Sequence, residues 1–208
     1  MDSVLIVDDH PVIRGAVKII LSQEGFKRIH EADSGNEVLS MIREHNTDLV
    51  VLDLNLPSLD GLEVLARIKA GEVRCRVVIF TAQKAEFFQD RCMRAGASAY
   101  VDKGKDLEHL QKAVRAVRGG YTYFAQIPSS SVSMSGFQRS EKQMIDLLSD
   151  RELTIFQLLA RGLSNKVIAE TLHLSHKTVS TYKTRLIEKL KVQSSVHLRD
   201  LAQRHDLI

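Results

Sequence analysis

The sequence predicts an α/β domain, a doubly wound five-stranded parallel sheet, joined to a second, smaller all-α domain. Three observations carry this. Short β-branched runs alternate with longer segments of helical period over the first 120 residues, a serine-rich stretch interrupts them, and beyond it strand signals vanish while helical ones persist. At 208 residues the chain has room for two domains, since domains typically run to about 100 to 150 residues. The expected division is 1–120 for the α/β domain, 121–147 for a linker and 148–208 for the helical domain.

The five expected strands are Val4 to Val7, Arg28 to Glu31, Leu49 to Leu52, Val77 to Phe80 and Ala99 to Val101. The helices between and after them are Pro11 to Glu24, Asn36 to Glu44, Leu62 to Ala70, Glu86 to Ala95 and Leu107 to Arg118. Pro11 suits a first helical turn, while Gly25, Gly71, Gly96 and Gly119-Gly120 lie where helices should stop. From Tyr121 to Leu148 the periodicity weakens, and the run from Ile127 to Gly136, rich in serine, reads as a flexible linker. The helical domain is expected to hold Arg151 to Arg161, Asn165 to Leu172, His176 to Leu190 and Val196 to Gln203.

A hydrophobic fraction of 44% with 26% charged residues suits a folded globular chain and excludes global disorder. The beginning lacks a basic leader and no apolar run of about 18 residues follows, so a cytoplasmic protein without membrane attachment is expected. Cys75 and Cys92, the two cysteines, have no metal-ligand spacing and read as reduced filler. The net charge of +3 is modest but unevenly placed. Between Arg161 and Arg199 eight basic residues face two acidic ones, which points to a polyanionic partner for that end of the chain.

In a parallel sheet of this kind, function gathers at the carboxyl ends of the strands. The first strand ends in Asp8 and Asp9, the third in Asp53 and the fourth in Thr81, while the fifth runs into Lys103. Three carboxylates packed together repel unless a cation joins them, and Mg²⁺, a hard divalent ion with oxygen ligands, is the expected one. One carboxylate would then attack phosphorus to form an acyl phosphate, with Lys103 offsetting charge on the phosphoryl oxygens and Thr81 donating to the new phosphate. Singly, each residue has a plainer reading: the Asp8-Asp9 doublet as a helix N-terminal charge feature, Asp53 as a cap, Lys103 as a solvated lysine, Tyr100 as core. Their conjunction on successive strand ends favours the site. His10 lacks a pairing signal and reads as a partly exposed, supporting neighbour.

These residues carry a resemblance. The segments Val4-Leu-Ile-Val-Asp-Asp-His-Pro11, Leu49-Val-Val-Leu-Asp-Leu-Asn-Leu-Pro57, Asp60-Gly61, Phe80-Thr-Ala82 and Tyr100-Val-Asp-Lys103 resemble the flavodoxin-like receiver domain of two-component response regulators over roughly 1–120. By position, the resemblance implies that Asp53 is the phosphoacceptor. It further implies that Asp9, Asp53 and the backbone carbonyl of Asn55 bind Mg²⁺, Asp8 through water. Thr81 and Tyr100 would be a switch pair and Lys103 the phosphate partner. The sequence does not give the phosphoryl lifetime; Asn55 and Gln83 flank the site and are the positions at which to look for its control.

Ser149-Asp-Arg-Glu152 reads as a capping box ahead of the apolar positions Leu153, Phe156, Leu158 and Leu159. Two helices then follow, capped by Ser164 and Ser175 and separated by His173-Leu-Ser175, in the layout of a helix-turn-helix. On the second, Val179, Tyr182, Leu186 and Leu190 share an apolar face, leaving Lys177, Ser180, Thr181, Thr184 and Arg185 on the other. Ser180, Thr181 and Thr184 are candidates for reading DNA base edges, with Lys177, Lys183 and Arg185 holding phosphates. Lys183 lies near the apolar edge, where it would equally snorkel.

The pattern Leu148-Ser-Asp-Arg-Glu-Leu-Thr-Ile, Gly162-Leu-Ser-Asn-Lys-Val-Ile-Ala-Glu, Leu174-Ser-His-Lys-Thr-Val-Ser and Leu190 resembles the LuxR-type helix-turn-helix over about 146–207. With the receiver, the chain resembles the NarL/FixJ family, and Gly120-Tyr-Thr-Tyr-Phe124 is similar to its virulence and stress regulators. The resemblance implies phosphorylation by a sensor histidine kinase or phosphotransfer protein, promoter DNA and RNA polymerase as partners, and a homodimer through the receiver, the last helix (Val196, Leu198, Leu201, Ala202), or both. Some family members carry basic residues where this chain has Ser180 and Thr184, a departure that bears on base preference. A multiple-turnover aspartyl-phosphate phosphatase is the rival reading, but it needs an added acid/base and a substrate cap, and the sequence has neither. A helical domain that binds protein is the third. The expectation is therefore a regulator and not an enzyme.

Overall fold

A computed structural model describes residues 1–57, 59–71, 73–104, 107–125 and 136–208. The chain divides into two units, Met1–Gln126 and Ile127–Ile208. In the first, strands and helices alternate: β1 (Ser3–Val7), α1 (Pro11–Gln23), β2 (Arg28–Ala32), α2 (Val38–Glu44), β3 (Leu49–Leu52), α3 (Gly61–Ala70), β4 (Arg76–Thr81), α4 (Ala85–Arg94), β5 (Ala99–Asp102) and α5 (Leu107–Arg118). All strand pairs are parallel and the order is β2-β1-β3-β4-β5.

Helices cover both faces of such a sheet, so its central strands can be apolar at every position. Val4-Leu-Ile-Val7 and Leu49-Val-Val-Leu52 are accordingly buried throughout. Val4, Ile6, Leu49, Val51, Val78 and Phe80 meet Val17, Leu21, Leu110 and Val114 of α1 and α5 in one core layer. The sequence ends its first helix at Gly25, and Gly25 takes a positive φ of 84° after α1. The strand order reverses direction between β1 and β3, which makes a crevice at their carboxyl ends.

The second unit holds α6 (Gly136–Asp146), α7 (Asp150–Ala160), α8 (Asn165–Thr171), α9 (His176–Lys189) and α10 (Ser195–Arg204). The expected capping box starts α7, with the Ser149 side chain accepting from the Glu152 N–H and Glu152 accepting from the Ser149 N–H. Ser164 and Ser175 cap α8 and α9. Leu153, Ile155, Phe156, Ile168, Val179, Leu186, Leu198, Leu201 and Ala202 form the core of this unit.

The expected linker 121–147 needs correction at both ends. Tyr123 bridges to Ala99 at the edge of the sheet, and α6 lies within the same span. Helix α6 has weak local signals, and tertiary contacts hold it. Ile145 is fully buried, and Glu141 accepts hydrogen bonds from Arg204 Nη2 (2.6 Å) and Nε (3.3 Å) and lies 3.0 Å from His205 Nε2. Residues 127–135, with the serine run, lie outside the described residues.

Candidate functional site

The loops after β1, β3 and β5 bring Asp8, Asp9, Asp53 and Lys103 to one rim. Lys103 Nζ stands 2.6 Å from Asp8 Oδ2 and 2.6 Å from Asp53 Oδ2. Asp8 and Asp53 are buried, whereas Asp9 is exposed and pairs with His10 Nδ1 at 2.6 Å. His10 has 65% of its side chain in solvent, in keeping with a supporting neighbour. One donor atom from each of Asp8, Asp9, His10 and Asp53 lies within 4.8 Å of the others.

Burial pushes the Asp53 carboxyl above the usual carboxylate range, and Lys103, Thr81 and the Asn55 N–H only partly oppose it. Burial would lower the Lys103 ammonium, but Asp53 and Asp8 outweigh it and raise it above its ordinary value. The two shifts describe one arrangement: buried negative charge that a single ammonium incompletely balances.

Asp53 owes its position to the turn after β3. The Asn55 N–H donates to Asp53 Oδ1 at 3.2 Å, and the Gly61 N–H donates to Leu54 O at 3.0 Å. A Cβ on Gly61 would collide with Asp53 O and Leu54 Cα, so the start of α3 lies against the Asp53 backbone only because no side chain intervenes. Asp60, the N-cap of α3, accepts from the Leu62 N–H.

On the other side, Thr81 is fully buried at the end of β4, and its hydroxyl favours the charged form of the Asp53 carboxyl. Thr81 Oγ1 also accepts from the Gln83 N–H (3.3 Å), and Tyr100 OH donates to Gln83 O (2.8 Å). Gln83 Nε2 donates to Asn55 Oδ1 at 2.6 Å. Tyr100 is buried, and that burial, with neighbouring negative charge, drives its phenol far above the ordinary range, so it is a neutral donor. Gln83, which in the sequence only flanks the site, joins Thr81, Tyr100 and Asn55.

In the helical unit, α8 and α9 are connected through His173, in a left-handed conformation (φ 52°), and Leu174-Ser175. Lys177, Ser180, Thr181, Thr184 and Arg185 are exposed on α9, opposite the buried Val179, Leu186 and Leu190. Thr181 Oγ1 donates to Lys177 O and Thr184 Oγ1 to Ser180 O, so both hydroxyl protons are engaged and the oxygens keep their capacity to accept. Lys183 differs: it is half-buried and lines a depression with Leu163, Lys166, His176, Val196 and Arg199. Lys189 ties α9 to the capping box of α7 through Glu152 at 2.8 Å.

Residues 4–115 match the family model described as the response regulator receiver domain, and 146–202 match that of bacterial regulatory proteins, luxR family. The virulence regulator BvgA of Bordetella pertussis is 47% identical over 206 residues, 99% of each chain. The chain belongs to the response-regulator family. The transcriptional activator EvgA of Escherichia coli is 31% identical to this response regulator over 203 residues, 98% of each chain. A structure of RcsB of Salmonella typhimurium shares its fold, with a TM-score of 0.74 at 22% identity over 96% of both chains. The chain thus joins a receiver to a LuxR-type DNA-binding domain, as transcription regulators of this family do. No helix among the described residues is long and apolar enough to cross a membrane.

Proposed function

We propose that Asp53 accepts a phosphoryl group from a phosphohistidine of a sensor kinase or phosphotransfer protein, and that the phosphorylated chain binds promoter DNA as a dimer. The observation that supports this reading is the buried Asp53 carboxylate facing Lys103, with Asp8 and Asp9 beside it. An Asp53 oxygen attacks phosphorus, the P–N bond breaks, and the donor imidazole leaves with the electron pair. Lys103 stands where the arriving phosphoryl oxygens need positive charge, and Thr81 donates a hydrogen bond to one of them.

The three carboxylates of the cluster offer oxygen ligands, with His10 beside them, and carry more negative charge than Lys103 offsets, which suits a hard divalent ion. Asp9, Asp53 and the Asn55 carbonyl would hold Mg²⁺ directly, and Asp8 through water. Bound there, Mg²⁺ supplies charge neutralisation to the carboxylates and the phosphoryl oxygens.

Thr81 and Tyr100 act as the switch pair, because both hydrogen-bond Gln83 and the Thr81 hydroxyl acts on the Asp53 carboxyl. Moving a two-state equilibrium from 1:99 to 99:1 takes about 5.5 kcal/mol of preference, which the phosphoryl group would provide by binding the active state. A receiver that keeps its phosphoryl group until hydrolysis is a switch and not a multiple-turnover enzyme.

Lys177 and Arg185 hold DNA phosphates and Ser180, Thr181 and Thr184 read base edges, with Lys183 reaching a phosphate from the margin of its depression. The dimer forms through the receiver, α10, or both; Leu198, Leu201 and Ala202 are buried within the unit, which leaves Val196, 67% exposed, on the outer face. RNA polymerase is the partner at the promoter, and the protein works in the cytoplasm.

Footprinting on its promoter with and without acetyl phosphate, on wild type and Asp53→Asn, tests the reading. Protection should strengthen with donor in wild type alone. Equal protection in all four samples overturns the switch.

A further inference from the structure

Residues 121–125 do not depart from the receiver at the end of α5. Tyr123 extends along β5, its N–H donating to Ser98 O and its carbonyl accepting from the Tyr100 N–H, each at 3.0 Å. Its hydroxyl meets His109 Nδ1 of α5 at 3.0 Å. Two residues on, the Gln89 side chain of α4 grips the Ala125 peptide from both sides. Gln89 Nε2 donates to Ala125 O (2.9 Å), and the Ala125 N–H donates to Gln89 Oε1 (3.0 Å). Gln89 is 5% exposed, so its amide has little water to replace these bonds.

The same segment lies at the end of a hydrogen-bonded path from the acidic pocket. Thr81, whose hydroxyl favours the charged form of Asp53, accepts from the Gln83 N–H, Gln83 O accepts from Tyr100 OH, and the Tyr100 N–H donates to Tyr123 O. Thr81 engagement at Asp53, the buried Tyr100 and the docked segment therefore belong to one conformational state. A shift of β5 or α4 that lets Tyr100 leave would remove partners from Tyr123 and Ala125 together.

We propose that residues 121–125 form a phosphorylation-dependent strap, docked on β5 when Thr81 engages the Asp53 site and Tyr100 is buried, and released when they disengage, with Gln89 as its clasp. This rests on Asp53 being the phosphoacceptor. Docking takes five residues out of the connection between the two units, about 17 Å of extended chain. Because effective concentration depends steeply on tether length, the strap sets how far the DNA-binding unit ranges from the receiver.

Hydrogen exchange on the full chain, with and without acetyl phosphate and Mg²⁺, tests this, with the phosphoryl mass gain on Asp53 read from the same samples. In wild type, phosphorylation should slow exchange at Tyr123 and Ala125 by at least about fivefold. Gln89→Ala and Gln89→Glu should still gain the phosphoryl group but exchange fast at both amides in either state; Gln89→Glu keeps the side-chain shape and turns the donor against the Ala125 carbonyl. Phosphoryl gain in wild type with no change in exchange overturns the strap and leaves the acceptor assignment standing. Absence of phosphoryl gain overturns both, and the mass measurement separates the two failures.

Discussion

Lys103 governs the electrostatics of the pocket, because its ammonium is held between two buried carboxylates at 2.6 Å. Removing one partner of a buried ion pair typically costs about 3 to 5 kcal/mol, since the other charge stays behind. Lys103→Ala should therefore lower receiver stability by about 3 kcal/mol at neutral pH. The deficit should shrink towards pH 5, because Asp53, already pushed upward by burial, can take a proton instead. Urea unfolding at the two pH values measures this; a deficit independent of pH would mean that lost packing outweighs the unpaired charge. His30 offers a second test. Its ring stacks on His45 with centroids 3.7 Å apart, and burial, then His45 and Arg28, hold its pKa below 6.5, against a smaller opposing pull from Glu44. The unfolded chain takes that proton near pH 6.5 while the folded one resists it, so the folded state is favoured above that pH and loses stability as pH falls below it. His30→Phe keeps a stacked ring without the titration and should flatten the stability slope between pH 7 and 5.5; an unchanged slope would place its origin elsewhere.

At the scale of elements, the five strands were legible because a sheet covered on both faces writes itself as unbroken apolar runs. Leu49–Leu52 is the clearest case. The capping boundary at Ser149 was legible too, since a reciprocal Ser and Glu pair is a local signal. Helix α6 was not, because its anchor is Glu141 bonded to Arg204 and His205, more than sixty residues away in sequence. The docking of Tyr123 and Ala125 was hidden for the same reason: no periodicity announces that Gln89 will meet them. The carboxyl-end carboxylates were legible as positions, whereas the amide link from Gln83 to Asn55 appears only in the fold. Gly61 shows how an element positions the site. Gly61→Ala must push α3 away from the Asp53 backbone, and overpacking of this kind costs about 1 to 3 kcal/mol. Phosphoryl uptake by Gly61→Ala from acetyl phosphate should slow well beyond what the stability loss explains, and a normal rate in the folded fraction would show that α3 yields without moving Asp53. On α9, Lys177→Ala should weaken binding to all duplexes alike and reduce the salt slope by about 1. Ser180→Ala should instead alter preference at one base pair, by about 1 to 3 kcal/mol if a specific hydrogen bond is lost. Titrations of matched and scrambled duplexes at two salt concentrations distinguish the two behaviours, and a sequence-specific effect from Lys177→Ala would reverse the assignment.

Across the whole molecule, the two units carry different chemistry, and Mg²⁺ as a ligand of the receiver should stabilise the receiver's own unfolding transition. The described residues hold one carboxylate and histidine cluster suited to a metal ion, and it lies entirely in the first unit. Mg²⁺ that binds folded receiver and not unfolded chain stabilises it by mass action, about 2.7 kcal/mol at a hundred times its Kd. Calorimetry of the full chain should therefore show the receiver transition rising with MgCl₂ while the helical transition stays in place. Asp9→Ala is the discriminating variant, because Asp9 is exposed and leaves the buried Asp8, Asp53 and Lys103 arrangement in place. Its metal-free stability should stay within about 0.5 kcal/mol of wild type, as for most exposed positions, while the rise with Mg²⁺ disappears. An equal rise in both transitions, or one that survives Asp9→Ala, would mean that the added salt acts by general screening and that the three carboxylates do not share a divalent ion.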